Sequence, residues 1–315
     1  MVNISLSFKA DDGMYMLSES TTSDDVRERI AALKQQEVVY ESAEYLPTPR
    51  TELSEKCVAT MCQWCYQVVD HYGFERDTTQ MALRCLEAFL RTPQGKPFLE
   101  TKSQYQLASM ACLYLIIKVH ERVELDVSAF CLLSRNAYNE TQIRQVEQTI
   151  IFSLNWRLCP PTAAAFVRCY IQLLPSSLTL KYRRTLLNLA LHQTYIASCS
   201  YNLSTRVSPS ATALACVLNA FEILGEYNRD EPIGTFHACQ YLSGCCNKQL
   251  EAVAFCQSTL IVDLSNNKQF TLTCATSSTC RTTLTRAKSS TTPTTNTTHH
   301  TSGNSASPVA IVSAK

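Results

Sequence analysis

Apolar residues recur at three- and four-residue intervals along most of this chain, and the spacing predicts helices. In "SEKCVATMCQWCYQVVDHYG", Cys57, Met61, Cys65, Val68 and Val69 share one face. "RDTTQMALRCLEAFL" repeats the pattern with Met81, Cys85, Leu86 and Phe89, and its Asp77 and Gln80 stand at capping-box-like spacing. A helix over 104–120 contains "LASMACLYLIIKVHE" and is apolar almost all round, as at the buried centre of a bundle. A shorter helix is predicted over 126–134 and a fifth over 139–154, where Asn139 and Gln142 have N-cap spacing. The two-proline joint "RLCPPTAAAF" then opens a second series at 162–174, 178–199, 209–225, 235–244 and 247–262. Its third member, "SPSATALACVLNAFEIL", is small-residue-rich and apolar like residues 107–117. The two halves match in length and helix order, a weak internal duplication. The fold class is all-α: two tandem five-helix domains, at 54–159 and 160–264.

Two charges break the pattern. Lys118 stands at helical spacing from Ala111, Tyr114 and Leu115 and so projects from an apolar side. Glu147 lies inside the stripe Ile143, Val146, Ile150, Ile151, Leu154. A charge on a face destined for burial is costly unless it is paired. These two residues are therefore the leading candidates for a site that another molecule covers.

The ends of the chain differ from its middle. Residues 1–53 are mixed and polar, with one helix predicted over 23–35 and a break at Pro47 and Pro49. From 265 to 315 the composition turns Ser/Thr-rich without a stripe, and such a segment is expected to be disordered. Thr48, Thr292 and Ser307 each precede a proline and are candidate sites of proline-directed phosphorylation.

Composition narrows the function. The hydrophobic share is 45% and the charged share 17%, with a formal net charge of +1. That balance provides a core but no electrostatic footprint for nucleic acid or a membrane surface. The start "MVNISLSFKADDGMYML" has no apolar signal region, and no run suits a membrane span. Sixteen cysteines then read as reduced thiols of an intracellular protein, and Cys62, Cys65, Cys85, Cys112 and Cys216 fall at core-like positions. The lone Cys62-x-x-Cys65 is a weak metal signal. No Gly-rich phosphate loop, nucleophile elbow or HExxH is present, so neither an enzyme nor a cofactor or metal site is expected.

Three ordered blocks, however, resemble the cyclin box. "WCYQVVDHYGFERDTTQMALRCLEAFL" resembles its opening, "LASMACLYLIIKVHE" its centre and "VEQTIIFSLNWRLCPPTAAAF" its close. The likeness covers about 54–170 and is nearest the G1, D-like cyclins. It implies a regulatory subunit that binds and activates a cyclin-dependent protein kinase in cell-cycle control, in nucleus and cytoplasm. By the same resemblance Lys118, Glu147 and Phe152 contact the kinase. Met61, Trp64 and Gln106, flanked by Cys57, Thr60 and Tyr105, match a substrate- or inhibitor-docking patch. The chain departs from the family at Val58, where the family has an arginine paired with the acidic residue that is here Glu87. Glu87 is therefore expected to need another donor or a wetter edge. Leu83-Arg-Cys85-Leu-Glu87 fits the L-x-C-x-E pattern, but a strand-binding motif inside a helix is read as coincidence. The alternatives are a cyclin-fold transcription factor, which would show a basic face, and a helical scaffold without kinase activation.

Overall fold

The computed structural model describes residues 22–40, 53–123, 125–227, 242 and 250–266, and among these there is no strand. Among the described residues eleven α-helices of more than one residue follow in order: α1 Ser23–Tyr40, α2 Glu55–Tyr72, α3 Arg76–Arg91, α4 Lys102–His120, α5 Val127–Leu133, α6 Glu140–Ser153, α7 Ala163–Gln172, α8 Leu180–Cys199, α9 Tyr201–Arg206, α10 Pro209–Tyr227 and α11 Leu250–Asn266. The helix expected over 235–244 falls almost wholly outside the described residues. Two short elements had no stripe to announce them, α9 and a 3-10 turn at Lys96–Leu99. Each is too brief to show a helical period.

Local chemistry sets the helix ends. The Ser54, Thr101 and Thr162 side chains accept from the third backbone N–H of α2, α4 and α7. Asn139 and Gln142 close the expected capping box on α6. Gly73 ends α2 with φ 74°, a left-handed cap that a side chain disfavours. On α3 the expectation fails. The N-cap is Glu75, it makes no side-chain cap, and Asp77 and Gln80 point elsewhere. The carboxylate of Glu121, at the end of α4, accepts instead from the Glu75 N–H at 3.1 Å and from the Thr78 hydroxyl. An anion at this helix start also suits the dipole of α3.

Two apolar cores result. One is built by α2 to α6, with Tyr201 of α9 added. The other gathers α7, α8, α10 and α11, with Val26 and Ile30 of α1. Each has a central helix of 19 residues, α4 and α10. From Tyr105 to Ile117 every residue of α4 but Leu107 is buried, and so is the whole run Pro209–Phe221 of α10. Helix α1 runs five residues past the predicted end. Its Glu37, 4% exposed, accepts from both the N–H and the hydroxyl of Ser210, each at 2.7 Å. A carboxylate thereby caps α10 from a distant part of the chain.

The residues missing from the α3 cap join the two cores. Gln80 donates to Thr194 Oγ1 at 2.9 Å and accepts from the Ala164 N–H at 3.2 Å. Asp77 pairs with Arg168 of α7. Arg76 lies over the rings of Tyr66 and Tyr195, and His192 sits beside it in the same seam.

Two predictions concern this seam. Gln80→Met keeps the volume but strands the buried Ala164 N–H and removes the donor to Thr194, so urea unfolding should show a loss of about 2 kcal/mol. Burial, helped by the charge of Arg76, lowers the His192 pKa from 6.5 to about 4. The unfolded chain therefore binds the extra proton between these values. The His192 contribution is complete above about pH 6.5 and is lost as pH falls through 4, about 3 kcal/mol in all. Melting curves between pH 7 and 4 should fall less steeply for His192→Gln than for the wild type.

Candidate functional site

Helices α4 and α6 run side by side in the same direction. Near their starts the Tyr138 hydroxyl donates to the Ser103 carbonyl at 2.8 Å, and further along Lys118 meets Glu147. The Lys118 Nζ donates to Glu147 Oε1 and lies 5.0 Å from the centre of the Tyr114 ring. The Glu147 side chain is 8% exposed and that of Lys118 is 39% exposed. The two charges are therefore neighbours on one helical surface and answer each other in the free chain. Lys118 is also the first exposed residue after the buried run of α4, so its stem leaves the core just where the helix does.

The same end of the bundle exposes apolar surface. Phe152 of α6 is 69% exposed, as is Trp156, and Val119 and Val123 at the end of α4 are open as well. Asn155 and Trp156 both take the left-handed conformation, with φ 49° and 61°. The Trp156 N–H donates to the Ile151 carbonyl at 3.0 Å. That turn presents the indole to solvent rather than to the core. Val119, Val123 and Trp156 were not singled out from sequence, because an exposed apolar residue at a helix end is indistinguishable there from a core one. The paired left-handed turn was the one available signal, since asparagine tolerates that conformation. Tyr40, at the end of α1, reaches this end too, bonding near Cys159, with Val38 and Val39 exposed before it.

The proposed docking patch is placed differently. Met61, Trp64 and Gln106 are all buried, as is Tyr105, while Cys57 and Thr60 are half-buried. Trp64 stacks edge-on against Phe130 with ring centres 6.5 Å apart. The Gln106 side-chain oxygen accepts from Tyr138 at 3.4 Å. Little of any of these three side chains is left to offer a visitor. Glu87 has found its donor in Arg84, one turn back on α3, at 2.8 Å. Arg84 also donates to the Ser204 carbonyl of α9 at 3.3 Å, so the pair braces α3 against the second half. Glu87 is not at a wet edge. Leu83-to-Glu87 is helical, with Cys85, Leu86 and Glu87 buried, which excludes the extended form of that motif in this fold.

Cys62, Cys65, Cys85, Cys112 and Cys216 are buried thiols, as their spacing predicts. Burial pushes the pKa of Cys65 up to about 12 and those of Cys85 and Cys112 up as well. Such thiols behave as small hydrophobes rather than nucleophiles. Among the described residues no cluster of His, Cys, Asp and Glu is arranged to hold a metal, and no helix is long and apolar enough to cross a membrane. Thr48, Thr292 and Ser307 lie outside the described residues.

Comparison with known proteins now gives this geometry a context. Residues 28–159 match the family "Cyclin, N-terminal domain". Cyclin-A of Drosophila melanogaster, described as G2/mitotic-specific, is 27% identical over 174 residues, which are 55% of this chain and 33% of that protein. The chain thus spans a third of that relative. The G1/S-specific cyclin-D1 of Mus musculus is 22% identical over 234 residues, 71% of this chain and 76% of the relative. In three dimensions a viral cyclin from herpesvirus saimiri superposes with a TM-score of 0.57 at 17% identity, covering 75% of this chain and 96% of the other, a likeness of fold. The family match over residues 28–159, these relatives and the doubled helical fold together support a cyclin family protein.

Proposed function

We propose that this chain is the regulatory subunit of a cyclin-dependent protein kinase and that the α4–α6 end is its kinase-binding face. The observation that carries the reading is the Lys118–Glu147 pair at the end of the bundle where Val119, Phe152 and Trp156 are exposed. An ammonium has three N–H donors, and Glu147 takes one of them, so Lys118 retains capacity for backbone carbonyls of a covering protein. Phe152, Val119 and Trp156 supply apolar area around it. Aromatic anchors are enriched at interface centres.

The mechanism is a population shift. Kinase activity needs the partner's αC helix turned inward, so that its glutamate reaches the ATP-binding lysine. A rigid helical face that binds only the inward arrangement biases that equilibrium. Moving it from 1:99 to 99:1 takes about 5.5 kcal/mol of differential binding. A single truncated charge contact in a desolvated interface typically costs about 2–5 kcal/mol. The pair and two aromatic anchors are sufficient for the shift. The regulatory subunit contributes no chemistry in this scheme. Cell-cycle control is the setting that the names of the relatives suggest.

Kinase activity recovered in pull-downs tests the assignment. Lys118→Ala with Glu147→Ala should lower it by at least about 30-fold, the equivalent of 2 kcal/mol. Both charges are removed together because either one alone would be left without its mate. Equal activity from wild type and double variant refutes the site. Phe152→Ser should leave the melting temperature nearly unchanged, since the ring is already exposed, and weaken kinase binding at least about tenfold. A variant that binds as tightly as the wild type removes Phe152 from the interface.

A further inference from the structure

Cys62 and Cys199 are 137 residues apart in the chain, yet their sulfurs are 3.0 Å from each other. Cys62 is on α2 in the first core and Cys199 is the last residue of α8 in the second, so the contact crosses the seam between them. Both are thiols, Cys62 buried and Cys199 half-buried. A disulfide needs about 2.05 Å between sulfurs, so about 1 Å of movement is required. The place for that movement is beside Cys199, where α8 stops and Ser200 turns the backbone to φ −90°, ψ 115° before α9 begins. We infer that Cys62 and Cys199 form a reversible, peroxide-sensitive disulfide that ties the two helical cores together.

The chemistry runs in two steps. Hydrogen peroxide oxidises the half-buried Cys199 thiol to a sulfenic acid and is itself reduced to water. The Cys62 sulfur then attacks the sulfenic sulfur, the S–S bond forms, and hydroxide leaves and takes up the proton from Cys62 as a second water. Two thiols and one peroxide give one disulfide and two waters. Burial pushes the Cys62 thiol up, which makes Cys199 the point of entry and Cys62 the resolving group. A small-molecule dithiol reverses the reaction by exchange. Cys65, three residues from Cys62 and also buried, is the competing resolving thiol.

Tryptic mapping of the full chain after hydrogen peroxide distinguishes the outcomes. Cys199 is the only cysteine in the peptide 185–206, whereas 57–76 holds Cys57, Cys62 and Cys65. The expected result is a linked 57–76/185–206 pair that dithiothreitol dissolves. It should persist in Cys65→Ser and vanish in Cys62→Ala and Cys199→Ser. Closing so long a loop should raise the melting temperature of the oxidised chain by about 5–10 °C, with no rise for Cys199→Ser. Cys199→Ser is half-buried at a helix end, so its own fold can be verified by circular dichroism. No linked pair in a folded, peroxide-treated wild type overturns the proposal. So does a link that survives Cys62→Ala, or one lost in Cys65→Ser.

Discussion

A helix that is apolar on every side has to be enclosed on every side. In α4 that constraint covers three and a half turns, from Tyr105 to Ile117, and the rest of the first core follows from it. α3 packs on one flank and α6 on another, with α2 and α5 against the remaining sides. Burying a Leu- or Ile-sized side chain stabilises by about 1.5–3 kcal/mol, and α4 buries Leu113, Leu115, Ile116 and Ile117 in sequence. No amphipathic helix could replace it without leaving polar groups in the core. Enclosure also has to end somewhere, and it ends at Lys118. The charge that follows the buried run marks the position where its neighbours cease to cover it.

The second core repeats the solution with a different sequence. α10 is enclosed like α4, but its buried run is richer in small residues, with Ala211, Ala213, Ala215 and Ala220 among them. Because the chain solves one problem twice, the two central helices and their order could be read from periodicity alone. The connections between the cores could not. Asp77 and Gln80 look like a cap when only spacing is visible, since the same residue types serve both purposes. What decides between them is a competitor: Glu121 reaches the start of α3 from across the fold and leaves Asp77 and Gln80 for Arg168, Thr194 and Ala164. Glu37 escaped notice for the same reason. It sits in a polar stretch, and only the folded chain brings Ser210 to it.

The charge pair shows the same division. That Lys118 and Glu147 are unusual was legible, because each interrupts a stripe. That they end up as neighbours followed from the family resemblance rather than from periodicity, because helix period says nothing about which residues of two helices face each other. The Trp64 region errs the other way. A tryptophan on a helix can be anchor or core, and its packing on Phe130 makes it mainly core here. Glu87 likewise kept a partner when the family's arginine became Val58, but it took one from its own helix. The brace moved from α2 to α9, so the substitution changed what the carboxylate holds together rather than leaving it unpaired.

Pairing the two charges with each other also resolves a difficulty in having them at all. A buried carboxylate without a cation would shed its charge or destabilise the core. Glu147 is buried only because Lys118 stands over it, and Lys118 can stand there because Tyr114 lies beneath its ammonium. The cost of desolvating Glu147 is therefore met during folding and not during association. A protein settling on this end of the bundle has only the outer, hydrated side of Lys118 to dehydrate, while Phe152 and Trp156 are already held outward. Under the proposed function this surface is preorganised, and preorganisation would let contact energy be expressed as selection between two states of a partner rather than consumed in ordering the surface that makes the contact.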